Sequence, residues 1–477
     1  MFTKFKQKNM SYSPQLIYFL DRLSGFSTNI FKLMPSGSDT SGPNSITRLV
    51  LPANALLNTR SFKLHFSAST VDATSEGGRL PADLSTLVER VEVSAGGVQL
   101  SQGTNFYNTL VNAKAAIQGS RCDSVTGHSE MVRANYFDGS SGTGGLMSAS
   151  TPGENEKYTG TGTPHVIDKW EGFLGTCEPK ILDASILPDL VVSIYWASNS
   201  VLASCKDSTT HALFTTVPTN GAKAFFEIRN IHASIETIGL ADSVYDNMVS
   251  SMIAEKGHIE IPFKQYFSFS NTHTGSSRFT IATQSLDRIW TAWRSTGYDT
   301  LGAPVAVPGY STVAGIVGGD AAANAAAILA LPGNLSAYSG LFGTGATEKY
   351  ITKFQKFTEP GTDMKYQLQL NGSYFPQYPA GMEDMYQITK NSLPGQIKYG
   401  LTNQQYRDSY FVQCVRLNMP DSEMSRNISG LDTRSVSLNG YVNTTGGTLA
   451  TDPNLMIFAE CTSCLRVGAG RQLEIIL

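Results

Sequence analysis

The sequence predicts an all-β protein built as two tandem eight-stranded jelly-roll sandwiches with short helices and long surface loops. Segments with a period of two recur along the 477 residues, as expected for half-buried strands. The composition is low in charge (16%) and rich in glycine (44 residues), phenylalanine (23) and tyrosine (20), which suits sheets joined by loops. The element order of the first half also returns in the second, so two large β domains account for the length.

The middle of the chain separates the two halves. Strand-like alternation over residues 225–238 gives way to helical spacing over residues 242–256, and alternation returns in HIEIPFKQYFSF. Asp242 can serve as the N-cap of this helix, and Gly257 lies where a left-handed C-terminal residue is expected. We therefore predict a short helix, here called the strap helix, between two β regions.

These features define four predicted segments: an N-terminal arm at 1–44, a first jelly roll at 45–239, the connecting strap helix at 240–257 and a second jelly roll at 258–477. The arm carries Lys4, Lys6 and Lys8 ahead of the apolar run LIYFL. That run is too short for a secretory signal, and no stretch reaches the ~20 apolar residues of a membrane span. The arm is either a frayed tail or a segment that docks on a neighbour or an underlying surface.

The first half begins after the linker SGSDTSGPNS with the strands SITRLVLP and SFKLHFSAST. A hairpin follows, with its turn at Gly96 and Gly97, and then a helix at 105–118 with Thr104 as cap. Residues 122–163 form a polar, glycine-rich surface excursion. Strands are predicted again in HVIDKWEGFLGT, in LVVSIYWAS and at Phe225.

The second half repeats this plan. RFTIATQ and LDRIWTAWR are predicted strands, and residues 295–348 form a long loop with an alanine-rich, surface-lying segment near Ala321. A hairpin with a turn at Asn371 and Gly372 is again followed by a helix, at 383–390. The repeat period of roughly 200 residues or more indicates duplication of a whole domain. Paired antiparallel sheets of the jelly-roll type satisfy these counts.

The residues give no support for catalysis or metal binding. None of the seven histidines has ligand spacing, and no nucleophile or phosphate-loop motif is present. Cys461 and Cys464 form one CxxC pair in a strand pattern without partners, which indicates structural thiols. We therefore predict no catalytic, cofactor-binding or metal-binding residues, no cofactor and no enzyme activity.

Three further groups have structural explanations. The acids Glu383 and Asp384 suit a helix N-terminus, and the pair Glu89 and Glu92 has no cleft geometry that the sequence can show. Trp290 and Trp293 could form a sugar platform, but i, i+3 spacing in a strand favours core packing plus an interface. A net charge of −3 provides no global field for sequence-specific nucleic acid binding.

After residue 45, the order of features resembles the double jelly-roll major capsid proteins of tailless icosahedral DNA viruses, the lineage that includes polinton-like viruses and virophages. The resemblance rests on LVLPANALLNTRSFKLHF, on the hairpin and helix after Val88, on WEGFLGT at 170–176, and on the strand, helix and IEIPFKQYFSF strand at 231–269. It implies two sandwiches side by side with the strap helix between them, outward-facing loops, and an arm at the base towards neighbours or an internal membrane.

The resemblance implies a major capsid protein that trimerises into pseudo-hexameric capsomers and tiles an icosahedral virus shell. Its expected partners are two further copies in a homotrimer, neighbouring capsomers, and minor capsid or penton proteins. Its expected location is the virion, after synthesis inside the host cell. The alternative is a jelly-roll carbohydrate-binding protein, lectin-like or a host-attachment module, because jelly rolls also form lectins.

Overall fold

The structure is a computed structural model. It describes residues 26–53, 55–71, 78–79, 81, 84–101, 104–117, 163–204, 225–240, 249, 251, 253–300, 305–307, 349–351, 353–393, 403–419, 430–434, 438–450 and 453–477. Residues 1–25 of the predicted arm, nearly all of the excursion at 122–163 and the alanine-rich segment near Ala321 lie outside these ranges. No helix among the described residues is long and apolar enough to cross a membrane.

The first half consists mainly of strands, as the alternation predicts. The helices are short, and the 3-10 turns Leu84–Leu87 and Asn199–Val201 connect strands. The strands and helices are β1 Phe26–Leu33, β2 Ile46–Val50, β3 Leu56–Val71, β4 Gly78–Arg79, β5 Val88–Ala95, β6 Val98–Gln99, α1 Tyr107–Ile117, β7 Thr163–Ile167, α2 Phe173–Thr176, β8 Ile181–Asp183, β9 Leu190–Trp196, β10 Ala203–Ser204 and β11 Phe225–Leu240.

The second half has the same character, with 3-10 turns at Lys353–Gln355 and Ala469–Arg471. Its strands and helices are β12 His258–Thr272, β13 Ser276–Ile281, β14 Leu286–Arg294, β15 Val305–Val307, β16 Lys349–Ile351, β17 Gly361–Thr362, β18 Lys365–Leu370, β19 Ser373–Ala380, α3 Met382–Ser392, α4 Asn403–Ser409, β20 Val412–Arg416, β21 Leu438–Thr445, β22 Thr448–Leu449, β23 Asn454–Gly468 and β24 Leu473–Ile476.

Each half folds into two antiparallel sheets, and the strand orders of the halves correspond. Sheet A has the order β1-β11-β3-β7 and sheet B the order β2-β9-β5-β6. In the second half, sheet C has the order β12-β23-β14-β20 and sheet D the order β13-β21-β18-β19. Strand by strand, sheet C therefore repeats sheet A and sheet D repeats sheet B. This is the domain duplication that the sequence predicts.

The all-β double sandwich is confirmed, while the count of eight strands per sandwich stays a prediction. Four strands lie on each sheet path, but β8 also pairs with β3 and β24 with β23. The short ladders β4–β10, β15–β16 and β17–β22 add further strands. The predicted domain boundaries also stay predictions. Strand β1 lies within the predicted arm and pairs with β11 along its whole length.

The two predicted hairpin turns have the expected backbone. Gly96 and Gly97 have φ of 54° and 87°, and Asn371 and Gly372 have φ of 47° and 84°. Two consecutive residues with positive φ match the twist of the flanking strands, which is why glycine and asparagine are favoured there. Each hairpin leads into an eleven-residue helix, α1 or α3.

Two local predictions are wrong. Thr104 does not cap α1, because its hydroxyl donates instead to the backbone carbonyl of Tyr266 in β12 at 2.7 Å. HVIDKWEGFLGT is not strand throughout, because β7 ends at Ile167 and the segment turns into α2. Gly172, with φ of 80°, produces this change of direction.

The flanks of the strap helix support its predicted place between the halves. Residues 253–256 are helical, as are residues 249 and 251, and Gly257 ends the turn with φ of 79°. The backbone N–H of Gly257 donates to the carbonyl of Ile253 at 2.8 Å. The strands on either side lie in different sheets, β11 in sheet A and β12 in sheet C. The two halves are thus separate sandwiches, and each buried cluster also takes in residues of the other half where the sandwiches meet.

Candidate functional site: the contact between the two sandwiches

Helix α1 belongs to the first half in sequence but packs into both cores. Tyr107 and Val111 join the apolar cluster of the first sandwich. On the other side of the helix, Leu110, Ala113 and Ile117 join the cluster of the second. A helix normally buries one stripe, whereas here ten of eleven residues are buried. Among the described residues, this helix therefore links the two sandwiches, whereas the sequence placed only the strap helix between them.

A buried ion pair fixes α1 against β12. The Lys114 ammonium lies 2.6 Å from the Glu171 carboxylate and donates to the Tyr266 hydroxyl at 2.9 Å. The Tyr266 hydroxyl in turn donates to the same carboxylate at 3.1 Å. Burial, followed by the charges of Glu171 and Glu460, raises the pKa of Tyr266 well above its ordinary value, so its hydroxyl stays protonated as a donor. Each group in this cluster has a partner, as a buried charge requires.

A second buried pair extends the network across sheet C. The Arg288 guanidinium lies 2.7 Å from the Glu460 carboxylate, and the indole N–H of Trp290 donates to that carboxylate at 3.1 Å. Burial alone would raise the pKa of Glu460, but the positive charges of Lys114, Arg288 and Lys264 outweigh it and lower the pKa. Glu460 is therefore ionised at neutral pH. These two charged groups on the outer face of sheet C are thus buried and paired.

Arg294 anchors the other end of α1. Its guanidinium donates to the Thr109 hydroxyl at 3.1 Å and lies 4.3 Å from the ring centre of Phe354, 4.7 Å from that of Tyr298 and 4.8 Å from that of Phe357. Burial lowers its pKa to about 9, which leaves it charged at neutral pH. Its Nε and Nη1 atoms have no hydrogen-bond partner among the described residues, so aromatic faces provide much of its stabilisation.

The motif WEGFLGT, residues 170–176, forms a clamp beside α1. The Trp170 indole N–H donates to the Phe62 carbonyl at 3.0 Å, which fixes the start of the clamp to β3. Phe173 then packs edge-to-face on Phe263 of β12, with ring centres 5.2 Å apart. A Cβ on Gly175 would lie only 1.7 Å from the carbonyl oxygen of Trp170. Only glycine permits so tight a turn.

The clamp also binds the free edge of β12. The backbone N–H of Lys264 donates to the Thr176 hydroxyl at 2.8 Å, and the backbone N–H of Glu178 donates to the Pro262 carbonyl at 2.9 Å. An unpaired strand edge is a template for association. This edge is covered from within the chain, by the first sandwich.

The aromatic and acidic residues that the sequence singled out have structural positions. Trp290 and Trp293 are both buried, at 1% and 0% exposure, so they cannot form a sugar platform. Trp293 packs on His273 in the second core, while Trp290 faces the contact with α1. Core packing plus an interface is therefore confirmed for this pair. Glu92 accepts a hydrogen bond from the Tyr195 hydroxyl at 2.8 Å, and Glu383 and Asp384 lie in the first turn of α3.

The cysteines also have structural positions. Cys461 and Cys464 are free thiols buried in β23, and burial raises the pKa of both. Thiols in this state are poor nucleophiles. Within the described ranges, no group of three or more His, Cys, Asp or Glu side chains could hold a metal ion.

The sequence did not indicate the contact itself, although both of its sides are distinctive motifs. WEGFLGT provides the clamp, and IEIPFKQYFSF is β12, which the clamp and α1 cover. The available signal was the pair of glycines, Gly172 and Gly175, inside an aromatic motif without strand alternation. Such glycines indicate a close backbone approach. Nothing in the sequence indicated which strand the motif would contact.

No family model and no curated protein sequence matches the chain. Solved structures do match. The PBCV-1 protein VP54, fitted into a reconstruction of the virophage Sputnik, aligns with a TM-score of 0.53 at 12% identity over 95% of this chain and 97% of that one. A quasi-atomic model of the PBCV-1 virus capsid gives 0.52 at 12% identity, with 95% and 97% covered.

The Faustovirus major capsid protein gives a TM-score of 0.50 at 10% identity, with 97% of this chain and 96% of that chain covered. These alignments span both sandwiches and the contact between them. At sequence identities this low, structural similarity shows the fold alone. The chain has the double jelly-roll fold of viral major capsid proteins.

Proposed function

We propose that this chain is a major capsid protein whose copies form homotrimers with a pseudo-hexameric outline, and that these capsomers tile an icosahedral shell. The observation that carries the proposal is the buried contact between two equivalent sandwiches, through α1 and the clamp. It holds two similar units side by side in one chain. Three copies would then present six similar units around a ring, provided that a related contact between chains closes it.

The composition of the surface supports assembly. Large apolar side chains remain exposed on the first sandwich, among them Ile30 (72%), Met34 (55%) and Ile46 (48%). Exposed apolar side chains of this size favour contact with another molecule. The chain acts in this proposal as a structural protein without catalysis, and the paired buried charges Lys114–Glu171 and Arg288–Glu460 stabilise the inter-sandwich contact.

The remaining partners follow from the same proposal. Neighbouring capsomers and minor capsid or penton proteins would contact the trimer, and the N-terminal arm would reach neighbours or an internal membrane. The protein would be made in the host cell interior and located in the virion. The carbohydrate-binding alternative loses Trp290 and Trp293 as a sugar platform, because both side chains are buried.

Size-exclusion chromatography with light scattering, followed by negative-stain imaging, tests the proposal. The expected result at micromolar concentration is a trimer with a pseudo-hexagonal outline. A strict monomer under these conditions would count against the capsid role. Binding of the isolated monomer to a glycan array would instead favour the carbohydrate-binding alternative.

A further inference from the structure

The outer face of sheet A carries a compact group of basic side chains. Burial alternates along β11, with Ile231, Ala233 and Ile235 turned to the core, so the residues between them face outward. We call the outward group the histidine face. It consists of Ile30 and Lys32 on β1, Lys63 and His65 on β3, and His232 on β11.

The two histidines of this face are stacked. Their ring centres lie 4.9 Å apart with 5° between the ring planes, and His65 Nε2 lies 2.8 Å from the Ser234 hydroxyl. Asn230 has φ of 54° at a register shift between β11 and β3. Its carbonyl accepts a hydrogen bond from His232 Nδ1 at 2.9 Å. This bulge orients His232, as bulges commonly do for a side chain.

The histidine face has a positive net charge, because its basic side chains outnumber its acidic ones. Lys32 and Lys63 are exposed and both lie in register with Ser234, one on each side. The pKa of His65 is lowered first by partial burial, then by the charges of His232, Lys63 and Lys32. One carboxylate, Glu236, also faces outward in register with Ile30 and accepts from the neutral Asn58 amide at 2.8 Å, while Glu227 pairs with Arg229 at 3.0 Å. The two lysines therefore outnumber the acid on this face.

The duplicated architecture indicates what could cover this face. Sheet C repeats sheet A, and its outer face is covered by α1, the helix that follows the hairpin of the preceding sandwich. The corresponding helix of the second sandwich is α3, which follows the equivalent hairpin. Its outer side is exposed and begins with the acidic residues Glu383 and Asp384. Within one chain, α1 occupies the contact between the sandwiches, and α3 remains open.

The geometry points to a head-to-tail contact in which the histidine face of one copy docks on α3 of a second copy. This inference rests on the proposed trimer and names its surfaces. The negative first turn of α3 lies against Lys32, Lys63 and the histidine pair, while exposed Ile30 contributes apolar area. Such a heterologous contact repeats the internal one and closes a ring when the rotation permits. Opposite charges at its rim would speed association and set the register.

Charge reversal tests the contact on the full chain. Lys63→Glu and, separately, Lys32→Glu are expected to weaken trimer formation by more than about tenfold, because like charges would face each other. Glu383→Lys should weaken it similarly, and combining Lys63→Glu with Glu383→Lys should restore much of the association. The readout is sedimentation velocity across a concentration series. The melting temperature at low concentration verifies that each variant is folded.

Arg278→Glu is the matched control, because Arg278 is an exposed cation on β13, at the edge of sheet D opposite to β19 and α3. It should leave association unchanged. A wild-type trimer that tolerates both lysine reversals would overturn the inference and leave the proposed capsid role intact. A wild-type protein that stays monomeric would overturn both. Loss of association in the single variants without recovery in the double variant would also reject α3 as the opposing surface.

Discussion

Sheets A and C occupy the same place in the two sandwiches, yet their outer faces differ. All nine residues of β14 in sheet C are buried, because α1 covers its outer side. The corresponding strand of sheet A, β3, alternates between buried and partly exposed residues over most of its length. Strand β12 is tied at its edge to the clamp, whereas β1 exposes Ile30 and Phe31, neighbours that point to opposite faces.

The difference shows how two domains with the same strand order can have different outer faces. On the outer face of sheet C, most charged groups are paired, such as buried Arg288 with Glu460 and partly buried Lys264 with Asp287, and the buried Arg294 lies against aromatic rings. On sheet A the lysines and histidines of the histidine face are left to solvent or to another molecule. A buried face tolerates charged side chains only when their charge is compensated. Paired charges therefore mark the face that the chain itself covers.

Among the substitutions that test this difference between the sheets, one in the clamp should lower the stability most. Gly175→Ala places a Cβ against the carbonyl oxygen of Trp170, where only 1.7 Å is available, and the clamp would have to leave β12. We expect a loss of more than about 4 kcal/mol in the free energy of unfolding. Urea unfolding followed by tryptophan fluorescence measures this loss.

Gly381→Ala is the control for that substitution. Gly381 precedes α3 with φ of −69°, and no atom lies within 4 Å of an added Cβ. Because Gly381 is the N-cap of α3, its substitution should cost less than about 1 kcal/mol, far less than is expected for Gly175→Ala. If Gly175→Ala were equally harmless, the clamp would not depend on the close approach at Trp170.

The Lys114–Glu171 pair should show the next largest effect. Lys114→Met leaves the Glu171 carboxylate partly buried without its cation, which should cost about 3 kcal/mol. Adding Glu171→Leu removes the uncompensated charge, so the double variant should recover part of that loss. Thermal unfolding of both single variants and the double variant gives the coupling. The exposed Arg434 provides the control, because Arg434→Met should leave the melting temperature unchanged.

Much of the fold could be predicted from the sequence because strands and turns are encoded locally. The period of two identifies β9 and β13. The pairs Gly96-Gly97 and Asn371-Gly372 identify the turns of the hairpins β5–β6 and β18–β19, because both residues of each pair have positive φ. The inter-sandwich contact could not be predicted in the same way. Lys114 and Tyr266 lie 152 positions apart, and no local pattern shows that one side of α1 faces another sandwich. Thr104 illustrates the same limit. It suits the N-cap of α1 by sequence, but its hydroxyl donates to the distant Tyr266 carbonyl instead.

His273 should make the stability of the second sandwich depend on pH. It is buried after β12 and lies 2.7 Å from the Ser277 hydroxyl and 2.8 Å from the Thr444 hydroxyl, whereas the β1–β2 connection contains no histidine. Burial lowers its pKa to about 4. Since the unfolded chain binds this proton below a pH of about 6.5, stability should fall as the pH drops from there towards 4.

That loss should be of the order of 2 kcal/mol, and it should shrink in His273→Gln. The free energy of unfolding in urea at pH 7 and at pH 4.5 measures the difference for each variant. Ile181→Gln, at an exposed position on β8 that carries no titratable group, should keep the full pH dependence. An identical pH dependence in all three proteins would mean that His273 is already protonated in the folded state near pH 5.

The smallest effects come from residues on the two equivalent outer faces. Tyr266→Phe removes the hydroxyl that accepts from Lys114 and donates to Glu171, which should cost about 1–2 kcal/mol. Ile30→Thr, at a side chain 72% exposed, should change the stability of the single chain by less than about 0.5 kcal/mol. Its effect should instead appear as weaker association at unchanged melting temperature. If Ile30→Thr destabilised the isolated chain as much as Tyr266→Phe does, the outer face of sheet A would already be covered within one copy, and the contrast between the two sheets would disappear.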